Sequence, residues 1–112
     1  MLQNRAKAGV PIWRFRYFGD WDNLRLYPTS GAYHGSDLEM IFGASEDVSG
    51  LPESAPEMEM QALMQRTWAV FADDPVKGLE REMGWPVYGS IRKLPNQTGI
   101  QFKCNLLTLQ DA

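Results

Sequence analysis

Apolar and polar positions change period twice along this chain, and the changes mark its elements. From Val10 to Phe18 the large side chains Trp13, Phe15 and Tyr17 alternate with Arg14 and Arg16. A period of two with one aromatic face predicts a strand, with Pro11 at its start because proline brings no ladder donor. Residues 2 to 8 read as the tail of a helix that Gly9 ends. From Ser54 onward the period is helical. Ser54, followed three residues later by Glu57 with Pro56 between them, is a capping-box pattern, and Met60, Leu63, Met64, Trp68 and Phe71 recur on one face until Asp73-Asp74-Pro75 stops the helix. That methionine-rich stripe is expected to pack in a core rather than to form a partner groove.

Between these two elements the pattern is broken up. Gly19 to Pro28 is turn-rich and aromatic, and reads as a surface loop carrying Leu26 and Tyr27 toward a site entrance or core, with Trp21 engaged in packing. Leu38, Ile41 and Phe42 then fall at helical spacing, opened by Asp37 as N-cap or first-turn residue and closed by Gly43. Residues 44 to 56, rich in Ser, Glu, Pro and Gly, read as a mobile connection with no fixed structure. Beyond the long helix, Gly84-Trp85-Pro86-Val87-Tyr88 is a turn with two aromatic anchors.

His34 is the only histidine. An isolated histidine is more often a surface or core residue than a catalyst, but this one lies between Gly31 and Gly35, which let the backbone bend sharply and let a ligand approach the ring. It belongs on a loop just before a helix. The run His34-Gly35-Ser36-Asp37-Leu38-Glu39-Met40-Ile41-Phe42-Gly43 closely resembles the histidine motif of the type-B carboxylesterases, H-G-x-[DE]-[IL]-x-[FYM]-[VI]-F-G. The resemblance extends back through Gly9 to Phe18 and forward through Met64 to Pro75 and Gly84 to Tyr88, and is most like the fungal branch; it implies that Ser90 to Leu94 is a shortened version of the strand that follows in relatives.

The resemblance implies an α/β fold, of which this chain would be a C-terminal fragment of an α/β-hydrolase: a sheet strand, the histidine loop, a short helix and a long C-terminal helix. It implies two segments, 1–88 as the C-terminal portion of a carboxylesterase domain and 89–112 as a divergent tail. His34 is then the catalytic base, with Gly35 and Glu39 as site-supporting residues and a small-molecule ester as substrate of the full-length enzyme. Neither a metal nor an organic cofactor is called for by such chemistry. The family's nucleophile stands in G-x-S-x-G and its order is serine, acid, histidine. None of Ser30, Ser36, Ser45, Ser49, Ser54 or Ser90 has glycine both two before and two after. Both missing members should therefore lie upstream, Asp37 and Glu39 are not the triad acid, and the chain alone should be inactive. A non-catalytic, cholinesterase-like interaction module or a truncated gene product is the alternative. A lone strand cut from a parallel sheet exposes its edges, so an isolated chain is expected to fold poorly or aggregate.

Composition changes this picture little. The 112 residues carry a net charge of −3, with positive residues dispersed, which speaks against a nucleic-acid or anionic-membrane partner. A hydrophobic fraction of 44% with four tryptophans is globular rather than disordered. One cysteine, Cys104, permits no internal disulfide and fits no zinc pattern. No run approaches the roughly 20 apolar residues of a spanning helix, and Met1 to Lys7 lacks the apolar core of an export signal. The default expectation is cytoplasmic, yet members of the family are often secreted with signals upstream, so location and oligomeric state stay open. Asn96-Gln97-Thr98 is a glycosylation sequon with meaning only in a secretory setting.

Overall fold

In a computed structural model of the protein, residues 2–87, 99–103 and 107–110 are described, the last two segments and residues 2, 3 and 6 by their backbone. The elements in order are α1 (Leu2–Lys7), β1 (Phe15–Phe18), a 3-10 turn (Asp22–Leu24), α2 (Leu38–Phe42), α3 (Ser45–Ser49), α4 (Ala55–Asp73), α5 (Gly78–Met83), β2 (Gly99–Lys103) and β3 (Leu107–Gln110). The strands form one sheet in the order β1-β2-β3. β1 and β2 are parallel, with Phe15 opposite Ile100 and Phe18 opposite Lys103, while β2 and β3 are antiparallel, with Phe102 opposite Leu107. A parallel pair needs a long crossover, and here α2 to α5 all lie within it.

β1 is therefore not a lone strand, and it is shorter than the alternation suggested. The ladder begins only at Phe15, where β2 supplies a partner. Its faces are as the sequence implies: Phe15 and Tyr17 are half-buried, Arg16 and Phe18 exposed. The Arg16 guanidinium lies 5.3 Å from the centre of the Phe18 ring, two residues along on the same outer face.

The long helix α4 organises the rest. Ser54 caps it as the sequence predicts: its hydroxyl accepts from the Glu57 amide and the Glu57 carboxylate accepts from the Ser54 amide, each at 3.3 Å. One face of α4 sends Met60 and Met64 into the core with Met40 of α2, Trp21, Leu24, Leu79 and Trp85. Another meets the inner face of the β1 segment, with Trp68 edge-on to Phe15 at 5.0 Å and Phe71 edge-on to Trp13 at 6.2 Å. The methionine stripe is core, as expected, although Phe71 at its end remains exposed.

Two helices were not anticipated. Residues 44–56 are ordered rather than a structureless connection: α3 occupies Ser45–Ser49 and ends on Gly50, whose φ of 71° is left-handed. Glu46 and Asp47 in its first turn suit the positive end of the helix, and Ser45 is fully buried. α5 follows because the Asp74 carboxylate accepts from the amides of Val76 and Lys77, at 3.1 and 3.0 Å, and turns the chain. Gly78 then lets α5 start close against α4: a Cβ there would come within 2.8 Å of the Val70 carbonyl oxygen. The strand expected over Ser90 to Leu94, the segment boundary at 88/89, the Asn96 sequon and Cys104 lie outside the described residues.

Candidate active site

The histidine sits on a turn between the 3-10 turn and α2. Gly31 and Gly35 both take positive φ, +55° and +87°, so both bends are ones that L side chains resist. The Tyr33 carbonyl accepts from the Ser36 amide at 3.0 Å, and that of Gly35 from the Leu38 amide at 3.1 Å, winding the turn directly into α2. His34 points into solvent as an exposed side chain. Among the described residues it has no hydrogen-bond or ion-pair partner.

Its neighbours are fixed more firmly. The Tyr33 hydroxyl donates to the Leu24 carbonyl at 2.8 Å. Burial, and then the charge of Glu39 nearby, holds that phenol above its ordinary value. Glu39 is half-buried on α2, and its Oε2 is buried without a hydrogen-bond donor. Its carboxylate thus faces the Tyr33 side of the loop, and no hydrogen bond joins it to His34. Asp37 occupies the N-cap position without capping through its side chain. It is already in the right-handed helical region, so its carbonyl serves instead, accepting from the amides of Met40 and Ile41 at 3.1 Å. Gly43 ends α2 with φ of 65°, as expected.

Other expectations around the loop need correction. Leu26 and Tyr27 do not reach a core: they are 68% and 61% exposed. Of the apolar residues of α2, Leu38 and Phe42 also face solvent, and the one fully buried is Met40, which meets Met60 and Met64. Trp21 is a packing residue, buried with its indole N–H donating to the Tyr17 hydroxyl at 2.7 Å. Sequence reasoning missed Tyr33 as the anchor of the loop. A tyrosine next to a histidine has no local signal for which carbonyl it will reach.

Among the described residues, cavities are formed by other parts of the chain. One, about 150 Å³, is apolar and lies between β1 and α4, with Trp13, Trp68, Phe71 and Leu79 in its wall. Another, about 320 Å³, is polar and lies between the 3-10 turn, residues 52–54 and the start of α4. His34 lines neither. Among the described residues no group of three His, Cys, Asp or Glu side chains is placed to hold a metal ion, and no helix is long and apolar enough to cross a membrane.

A turn that presents an exposed imidazole, followed by a short helix locked onto a long one, can be set beside known proteins. No family model matches the chain, and no solved structure matches it. Curated relatives do. Over 82 residues, 73% of this chain, it is 38% identical to secreted lipase 5 of Gibberella zeae. Over 77 residues, 69% of the chain, it is 32% identical to a chlorogenic acid esterase of Aspergillus niger. An acetylcholinesterase of Bungarus fasciatus is 29% identical over 85 residues, 74% of the chain. The aligned part is only 15%, 15% and 14% of those proteins, so the chain spans about one seventh of the length of the relatives it matches.

The class these relatives define is that of the ester hydrolases, with the α/β-hydrolase fold. Over about seven tenths of its length the chain is homologous to one family of that class, the type-B carboxylesterases, with fungal enzymes among its relatives.

Proposed function

We propose that this chain is the histidine-bearing, C-terminal portion of a serine carboxylic ester hydrolase that works through an acyl-enzyme. The observation that supports the reading most is an exposed imidazole on a glycine-flanked turn, with no described partner on either nitrogen, in a chain homologous to lipases and esterases. In the proposed mechanism His34 takes the hydroxyl proton of a serine as that oxygen attacks the ester carbonyl. It gives the proton to the departing alkoxide, then repeats the exchange with water to release the acid. Gly35 lets substrate approach the ring, and Glu39 supports the loop from α2. The substrate is a small-molecule ester, and the chemistry calls for no cofactor.

In this reading the nucleophile and the triad acid come from polypeptide outside these 112 residues, since no serine here has the elbow pattern. Residues 1–88 form the family-like portion and 89–112 a divergent tail. Loss of the nucleophile costs on the order of 10⁶ in turnover in a triad hydrolase, so the chain alone is inactive. Leu26, Tyr27, Leu38 and Phe42, exposed on segments flanking His34, are the apolar surface that the remainder of such a hydrolase covers.

One observation favours a second reading, a non-catalytic interaction module or a truncated gene product: no carboxylate orients the imidazole among the described residues. Hydrolysis of p-nitrophenyl acetate and butyrate separates the two. The chain is assayed alone, and then co-expressed with the serine-bearing remainder of a type-B carboxylesterase that lacks its own histidine segment, with organophosphate titration of the active serine. Turnover restored by co-expression and lost in His34→Ala supports the enzyme portion. A folded complex without turnover supports the interaction module, and turnover by the chain alone overturns the assignment of the nucleophile.

A further inference from the structure

The apolar cavity between β1 and α4 has no part in the ester-hydrolase reading, and His34 is not in its wall. It measures about 150 Å³ and is mostly aromatic: Trp13 and Phe15 come from the β1 segment, Trp68 and Phe71 from α4, and Trp85 from the turn after α5. Two edge-on pairs, Phe15 with Trp68 at 81° and Trp13 with Phe71 at 74°, set strand rings upright against helix rings. Rings held this way do not stack flat, and a space stays open between strand and helix.

Size and polarity restrict what can occupy that space. A void of about 150 Å³ walled by aliphatic and aromatic groups stays dry and admits benzene. No charged side chain lies in the described wall, and an ion buried without a counter-charge is costly. A charged occupant is therefore disfavoured. Thr67, 2% exposed, already donates its hydroxyl proton to the Leu63 carbonyl at 2.8 Å. The Trp13 indole differs: its Nε1 is buried, and its N–H meets no acceptor among the described residues. Such a donor is costly to leave unmet. Phe71, 43% exposed, carries the wall to the surface and gives a small molecule a way in.

We propose that this cavity binds a small uncharged molecule built on a single aromatic ring that carries a hydrogen-bond acceptor. The ring packs edge-to-face on the aromatic walls, as an aliphatic chain cannot, and the acceptor takes the Trp13 N–H. The proposal does not depend on ester hydrolysis, and its test involves no ester.

The test is a ¹H–¹⁵N titration of the full chain with benzonitrile, whose nitrile nitrogen accepts, and with toluene, a ring of similar size without such an acceptor. Saturable shifts are expected with both at the Trp13, Trp68 and Trp85 indoles and at the Thr67 amide. The Trp13 indole proton is expected to lie further downfield with benzonitrile than with toluene, because the nitrile takes its hydrogen bond. That comparison tests the donor in the wild type, without any substitution. Trp13→Phe keeps an aromatic wall and removes the donor. It is expected to weaken benzonitrile about fivefold relative to toluene, the scale of one net hydrogen bond, and its toluene binding shows that the variant is folded. The proposal is overturned if no saturable shift appears at these groups, if toluene moves the Trp13 proton downfield as far as benzonitrile does, or if Trp13→Phe keeps the wild-type ratio of the two affinities.

Discussion

The hydroxyl of Tyr33 donates to the carbonyl of Leu24 at 2.8 Å, and so ties the histidine loop to the 3-10 turn beneath it. Leu24 is itself part of the buried core. The position of His34 is thus set by its predecessor in the chain rather than by any contact of its own ring. Tyr33→Phe keeps the ring and removes the tie. It is expected to cost about 1 kcal/mol in urea unfolding, the net worth of one hydrogen bond, and to broaden the backbone resonances of residues 31–37. An unchanged midpoint with unchanged resonances would show that the loop is held by other means.

The centre of the core is a cluster of methionines from two helices. Met64 of α4 and Met40 of α2 are both completely buried. Truncation of either opens a void that close packing cannot fill, so Met64→Ala is expected to destabilise by roughly 2–5 kcal/mol, and Met58→Ala, exposed on the same helix, by far less. Chemical denaturation of both variants checks the contrast. Equal losses would mean that Met64 is not packed as described.

Glu57 gives the protein a pH signature. Burial pushes its carboxyl above the ordinary 4.5, against lowering contributions from the Ser54 amide and the Asn23 and Ser45 side chains. A carboxyl raised in the folded state binds its proton more tightly there than in the unfolded chain. Its contribution to stability is therefore full below the unfolded value and is lost as pH rises through the folded one. Wild-type protein is expected to lose stability over that window relative to Glu57→Gln, and denaturation at a series of pH values measures the difference. A difference that does not vary with pH would refute it.

Asp74 has the opposite sign. The Lys77 amide, then the Val76 amide and Arg81, hold its carboxyl below the ordinary 3.8. Its contribution is present above the unfolded value and disappears as pH falls through the folded one. Asp74→Asn is therefore expected to flatten the acid limb of the stability profile, and to loosen α5, whose entry turn the carboxylate holds. Amide exchange at Val76 and Lys77 reports the second effect, and unaltered protection at both would count against it.

What was legible in the sequence was local. The Ser54–Glu57 capping box, the stop at Asp74-Pro75, the left-handed end at Gly43 and the glycine-flanked histidine turn all depend on neighbours within a few residues, and all are present. The motif around His34 also led to the family through its residues. Errors arose where distant contacts decide. The sequence offers Leu26 and Tyr27 either a site entrance or the core, and the second is closed to them because the core under that loop is taken by Trp21 and Leu24, so they face solvent. Asp37 has the right type for a cap, yet its helical backbone turns its side chain out of reach. α3 and α5 are only five and six residues long, too short for a period to declare itself, and they are fixed by the burial of Ser45 and by the fit of Gly78 against Val70.

The parallel ladder that places residue 15 beside residue 100 also bears on how the molecule is made. Every helix from α2 to α5 is encoded between its two strands, so the chain must bring together segments on either side of all four helices before that ladder yields any hydrogen bond. Such closure is entropically expensive and slow compared with local helix formation. The capped α4, with Met40 of α2 docked on it, is built from nearby segments and can form before the sheet. It is then the surface on which β1, through Phe15 and Trp68, waits for β2. On a ribosome β2 emerges after α2 to α5, so this ladder closes only once the histidine turn and the helix behind it are already outside.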